Sequence, residues 1–179
     1  MDTLLLLFSE KEDSLGTQPI PENDVLIAVA KWLHANGWQI KKVSMARGQQ
    51  IDQAEERKKL RSNFESIGIA IDGLRFTPQG ADIEATSGAD IWKIECKGMG
   101  DVKPQTLKNN FDRAVASAVS YYDNSKGLRL GLALPFEYSR LTKDKLPLPL
   151  RMALSLWVLL YVSADDEVYA FAPDEELLL

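Results

Sequence analysis

Cysteine and histidine are all but missing from this sequence: 179 residues contain one of each, Cys96 and His34. One cysteine forbids an intramolecular disulfide and any cysteine-rich zinc site, and one histidine removes the metal sites and catalytic triads that need several. Long apolar runs are missing too. Leu4 to Phe8 is far shorter than a membrane span, lacks the basic flank and small-residue cleavage site of a signal peptide, and is followed at once by the acidic SEKED. Leu154 to Val162 is also too short to cross a bilayer and suits a buried strand. A cytoplasmic protein with no membrane partner is the expectation. Positive charge is not in excess either: 21 Lys and Arg against 26 Asp and Glu leave a net charge of −5, so any affinity for nucleic acid must come from local patches. The chemistry left open is that of carboxylates, lysine and hard cations.

What is present, 45% hydrophobic and 26% charged residues without repeats or low-complexity tracts, describes a single globular domain over 1–179. Residues 1–18 read as an arm or edge strand, or equally as a loosely held terminus, and 173–179 as a frayed tail. A helix is predicted from Pro21 to Asn36, stopped at Gly37, with Val25, Leu26, Val29, Trp32 and Leu33 as its apolar stripe. Glu22 shares that stripe, either as a first-turn residue complementing the helix dipole or as a third acid for a metal site. A strand follows over Trp38 to Met45. The polar helix from Gln49 to Phe64 lies within a 46–66 insertion and carries Arg57, Lys58, Lys59 and Arg61, a solvated face or a phosphate contact. Ile67 to Phe76 reads as strand broken by an Asp72-Gly73 turn. The rhythm of Leu107, Phe111, Ala114, Val115, Ala118, Val119 and Tyr122 predicts a helix near Thr106 to Asp123 that packs on a sheet, its small residues Ala114, Ser117 and Ala118 allowing close approach. Lys108, Asn109, Arg113 and Tyr121 flank that stripe and are exposed or reach a ligand. Leu128 to Leu134 reads as a buried central strand ended by Pro135, Glu137 to Leu150 as loop or short helix, Leu154 to Val162 as strand, and Val168 to Phe171 as an edge strand. The order implies an α/β fold with a mixed sheet.

The stretch from Gly80 to Gly98, GADIEATSGADIWKIECKG, holds the chemistry. Two alternating runs around Gly88 predict a β-hairpin that brings Asp82 beside Glu95 and Lys97. Alternation places Glu95 and Lys97 on one face and Ile94 and Cys96 on the other. Two carboxylates and a backbone carbonyl, here that of Cys96, suit Mg2+ or Mn2+, and a lysine beside them would orient or deprotonate a water. A surface salt-bridge ladder would show the same spacing.

At these residues the sequence resembles the PD-(D/E)XK nuclease superfamily, over roughly Pro21 to Leu134 in element order. The resemblance matches Asp82 to the motif's first aspartate, Glu95 to its second acid, Lys97 to its lysine and Glu22 to the acid many members carry on the first helix. Ala81 stands where the motif has proline, and Asp90, in the second GAD string, is a rival for the first aspartate that is expected in the turn, which favours Asp82. The resemblance implies a restriction-endonuclease-like three-layer sandwich, a central mixed β-sheet flanked by helices. It also implies a Mg2+-dependent DNA endonuclease of defence, repair or mobile-element processing, working as a homodimer, with Arg57, Lys58, Lys59, Arg61, Lys108 and Arg113 as candidate nucleic-acid contacts. The competing expectation is a nucleic-acid- or protein-binding module that keeps the nuclease fold without turnover.

Overall fold

The computed structural model describes residues 19–44, 53–100 and 103–177. The expected arm over 1–18, Met45, the opening of the 46–66 segment and the last two residues lie outside them. Seven strands form one mixed sheet in the order β2-β1-β3-β4-β5-β6-β7, and five α-helices accompany it among the described residues. The strands are β1 (Gln39–Ser44), β2 (Arg75–Thr77), β3 (Ile83–Ser87), β4 (Asp90–Cys96), β5 (Leu128–Pro135), β6 (Leu156–Val162) and β7 (Glu167–Phe171). The helices are α1 (Glu22–Ala35), α2 (Gln53–Ser66), α3 (Pro104–Ser120), α4 (Ser139–Lys145) and α5 (Leu148–Leu154), with a 3₁₀ turn at Phe136–Tyr138.

Alternation in β4 sorts the two faces of the sheet. Trp92, Ile94 and Cys96 are buried toward α1, where the Trp92 ring meets Trp32 edge-on with centroids 6.2 Å apart. Lys93 points to the opposite face, where its Nζ donates to the backbone carbonyl of Tyr121, the residue that ends α3. Helices therefore cover both faces, the layering expected for the α/β fold. Burying Val25, Leu26, Val29 and Leu33 of α1, each 4% exposed or less, contributes roughly 1.5–3 kcal/mol per side chain before chain entropy is charged against it. On the other face Phe111, Ala114 and Ala118 of α3 are buried, and α3 packs on β4 and β5.

The hairpin forms as the sequence predicts. β3 and β4 pair antiparallel from Ile83 opposite Ile94 to Ser87 opposite Asp90, leaving Gly88 and Ala89 as a two-residue turn. Gly88 has φ 59°, the left-handed value that the first central position of a II′ turn demands and that an L side chain resists.

Several expected boundaries move. Ile67 to Phe76 is not a hairpin of strands: only Arg75–Thr77 is extended, and it pairs in parallel with β1. Ile69 and Leu74 are buried in the common hydrophobic core, so the apolar residues of that stretch serve the core without a ladder. The segment expected as loop or short helix from Glu137 to Leu150 holds α4 and the start of α5, and Leu154 closes α5 instead of opening β6. Asp90 is the first residue of β4, not part of the turn. The tail does not fray as far as Leu177, which is 5% exposed. Arg151, 1% exposed, donates from Nη1 to the Ala172 carbonyl at 3.0 Å and from Nη2 to that of Glu175, pinning the chain after β7.

Candidate functional site

Three short segments meet at the carboxyl end of β4. The register that sets Ile83 opposite Ile94 and Glu84 opposite Lys93 continues to Asp82 opposite Glu95, so both carboxylates rise from the face that carries α3. Asp82 is fixed from both sides: its carbonyl accepts from the Ser44 N–H of β1 at 2.9 Å, and its Oδ2 accepts from the Cys96 N–H at 2.8 Å. The next amide, that of Lys97, donates the other way, to Ala133 of β5 at 2.9 Å. Backbone groups of one strand residue point to the same neighbour, so the Cys96 carbonyl is directed with its N–H toward Asp82.

The third segment is the start of α1. An isolated bridge joins Ile20 to Met99, with N–H to carbonyl bonds of 2.6 and 2.7 Å in the two directions. This clamp seats the first turn of α1 beside the end of β4, and Lys97 Nζ donates to Glu22 Oε2 at 2.6 Å. The contact requires a glycine at 98. A Cβ there would lie 2.4 Å from the Glu22 nitrogen and 2.5 Å from the Ile20 carbonyl oxygen, closer than any side chain tolerates. Asp82, Glu95, Lys97 and Glu22 are thus gathered at one place, across 75 residues of sequence in the case of Lys97 and Glu22.

The electrostatics follow from that crowding. Burial first, and then the charges of Glu95 and Glu22, push the Asp82 carboxyl up to about 8 against the opposing pull of the Cys96 N–H and Lys97. Glu95 is also raised, chiefly by burial, against hydrogen bonds from Tyr121 and Ser117 that favour its charged form. The Tyr121 hydroxyl donates to Glu95 Oε2, and its own ionisation is pushed up by burial and by that bond. The Cys96 thiol, buried on the other face, is raised well above its ordinary range by burial and lies outside the reactive set.

Two half-buried carboxylates repelling one another are relieved by a hard cation, and Mg2+ needs only one or two protein carboxylates besides waters. Asp82, Glu95 and the Cys96 carbonyl fit such an ion by donor type. Among the described residues no group of three or more His, Cys, Asp or Glu side chains is disposed as a metal cluster, and the Glu22 carboxylate is held by the Lys97 ammonium group. Asp90 is removed as a rival: at the far end of β4 its Oδ2 takes a 2.9 Å bond from Arg129.

The basic residues divide. On α2, Lys59 pairs with Glu55 and Glu56 at 3.4 Å and Arg61 stacks over Phe76 at 5.0 Å, whereas Arg57 and Lys58 are exposed without a partner among the described residues. Asn23, next to Glu22, donates to Glu56 at 3.1 Å, which brings the polar helix to the same end of the molecule. Lys108 is exposed on α3, while Arg113 lines a cavity with Glu95 and Lys97. The residues that reach the site from α3 are Asn110, Arg113, Ser117 and Tyr121. Asn109, named from the sequence, instead accepts from Gln105 on the outside of the helix. Asn110 was missed, and Ser117 was read as a packing residue; the period of 3.6 that puts both in line with Tyr121 was the available signal.

Comparison of the chain with models of known protein families, with curated proteins and with solved structures gave no match in any of the three.

Proposed function

We propose that the chain is a divalent-metal-dependent nuclease of PD-(D/E)XK type with a restriction-endonuclease-like fold, cutting DNA as a homodimer in defence, repair or mobile-element processing. The observation that carries this reading is the meeting of Asp82, Glu95, Lys97 and the first-helix acid Glu22 at one end of the sheet. Phosphodiester hydrolysis adds water across a P–O bond, giving a phosphomonoester and an alcohol. It needs an activated water, neutralised phosphoryl oxygens and a proton for the leaving oxygen. A bound Mg2+ or Mn2+ would supply charge neutralisation and an acidified water.

The chain's own groups cover the rest. Asp82 and Glu95 supply the hard ligands, with the Cys96 N–H fixing one oxygen of Asp82 and the Tyr121 hydroxyl one oxygen of Glu95. Lys97 is held by Glu22 as an ammonium whose reach is restricted to the carboxylate end; it orients the attacking water and offsets charge as the phosphoryl group reorganises.

Purified protein with Mg2+ or Mn2+ is expected to nick or degrade DNA, and Asp82→Ala, Glu95→Ala and Lys97→Ala to lose that activity together. Equal activity in wild type and all three variants would sink the assignment. A Mn2+ titration by calorimetry separates the non-catalytic module: a heat signal that disappears in Glu95→Ala supports the nuclease, and no metal binding together with stable capture of a protein partner supports the module.

A further inference from the structure

The cavity on the α3 side of the carboxylates has a chemistry that the metal site alone does not use. It measures about 120 Å³ and is lined by Glu95, Lys97, Asn110, Arg113 and Ser117. That is about four waters at liquid volume, room for a phosphate group and not for a whole nucleotide. Its helical wall is a continuous stripe: Asn110, Arg113, Ser117 and Tyr121 follow one another at three or four residues, the spacing of one helix face. The adjoining stripe, Phe111, Ala114 and Ala118, is buried in the core, so α3 cannot rotate without exposing it.

The cationic groups in and around this cavity are unevenly committed. Lys97 is held by Glu22 at 2.6 Å, Lys93 by Asp123 at 2.6 Å, and Lys145 by Asp112, the neighbour of Arg113, at 2.5 Å. Arg113 has no carboxylate or other partner among the described residues, although it lies in the same cavity as Glu95. In a chain of net charge −5, a guanidinium with no ion pair among the described residues therefore stands at the mouth of the cavity that holds Glu95.

We propose that Arg113, with Asn110 beside it, is the binding subsite for one phosphate of the nucleic-acid strand, next to the bond that is cut. The subsite rests on the nuclease reading for its position relative to the reaction, and on its own geometry for its ligand. The planar fork of Arg113 takes two non-bridging oxygens of the phosphate in parallel hydrogen bonds, and the Asn110 amide donates a third from one turn earlier. Tyr121 and Ser117 stay on Glu95.

The test uses the full chain as wild type, Arg113→Ala and Arg113→Lys. Binding of a short fluorescein-labelled DNA duplex is followed across a salt series with Ca2+ in place of Mg2+, and cleavage is followed with Mg2+. Arg113→Ala is expected to weaken binding by roughly tenfold to a hundredfold at low salt and to lower the slope of log affinity against log salt by about one. Arg113→Lys keeps the slope and recovers part of the affinity. Arg113 is exposed, so a circular-dichroism melt of each variant should match wild type. Arg113→Ala with wild-type affinity and slope overturns the subsite. A wild type that binds through Arg113 without cutting refutes the hydrolytic reading and leaves the subsite standing. Cleavage that proceeds equally without Arg113 does the reverse, and a wild type that neither binds nor cuts refutes both.

Discussion

Asp82→Asn should make the metal-free protein more stable, because the fold keeps this carboxyl where its charge is unwelcome. Its pKa rises from an ordinary 3.8 to about 8, first through burial and then through the charge of Glu95. Each unit of pKa is worth about 1.4 kcal/mol. About three units separate the ordinary value from pH 7, so holding the group protonated in the fold costs up to about 4 kcal/mol there. The sign follows from proton counts. Between about pH 4 and 8 the folded state keeps a proton that the unfolded chain has released, so wild-type stability falls as pH rises through that window and levels off above it. Asparagine carries no such charge, and its carbonyl oxygen can still accept from the Cys96 N–H. Thermal melts in EDTA should show Asp82→Asn above wild type by several degrees at pH 8, with the gap closing toward pH 4. Added Mn2+ should raise the wild-type melting temperature and leave the variant unmoved. An Asp82→Asn protein that melts below wild type in EDTA at pH 8, or a gap that ignores pH, would refute the account of this carboxylate.

Three other changes probe the supports of the site and of the fold. Gly98→Ala pushes a methyl into the backbone of Ile20 to Glu22 and should cost about 1–3 kcal/mol while drawing Glu22 away from Lys97, which a urea melt and a cleavage assay read together. Tyr121→Phe removes the hydroxyl that holds Glu95; Mn2+ affinity by calorimetry should drop by roughly tenfold or more with the melting temperature nearly unchanged. Arg151→Ala leaves the Ala172 and Glu175 carbonyls unpaired around a hole and should destabilise by about 2–5 kcal/mol, with protease cutting first near the carboxyl end.

Much of the site was legible because it is local. Alternation around Gly88 fixed which side chains of β3 and β4 share a face, and the register then set Asp82 across from Glu95. The apolar rhythm of α3 announced a helix packed on the sheet. What stayed hidden depends on contacts between distant segments. Arg75–Thr77 becomes a strand because β1, some thirty residues earlier, offers it a parallel edge; three residues carry no periodicity of their own. The pairing of Glu22 with Lys97 needs the Ile20 to Met99 bridge, and the seating of the tail needs Arg151, a buried arginine that sequence reading would leave on the surface. Asn110 and Ser117 were overlooked for a different reason: on an amphipathic helix the eye follows the apolar stripe, and here the polar edge of the same helix is what reaches the carboxylates.

All four tryptophans of the chain meet in one cluster around Arg129. Trp92 contacts Trp32, Trp38 and Trp157 edge-on at centroid distances of 5.1 to 6.2 Å, and the Arg129 guanidinium lies within 6 Å of three of the rings. The cluster occupies the face opposite Glu95, toward the turn end of the hairpin. Optically, then, the molecule has a single reporter. Indole emission will register the loss of the core in one cooperative step and stay nearly silent to an ion or a strand arriving at the carboxylates, so ligand binding must be followed from the tyrosine side, through Tyr121, or through a label on the ligand.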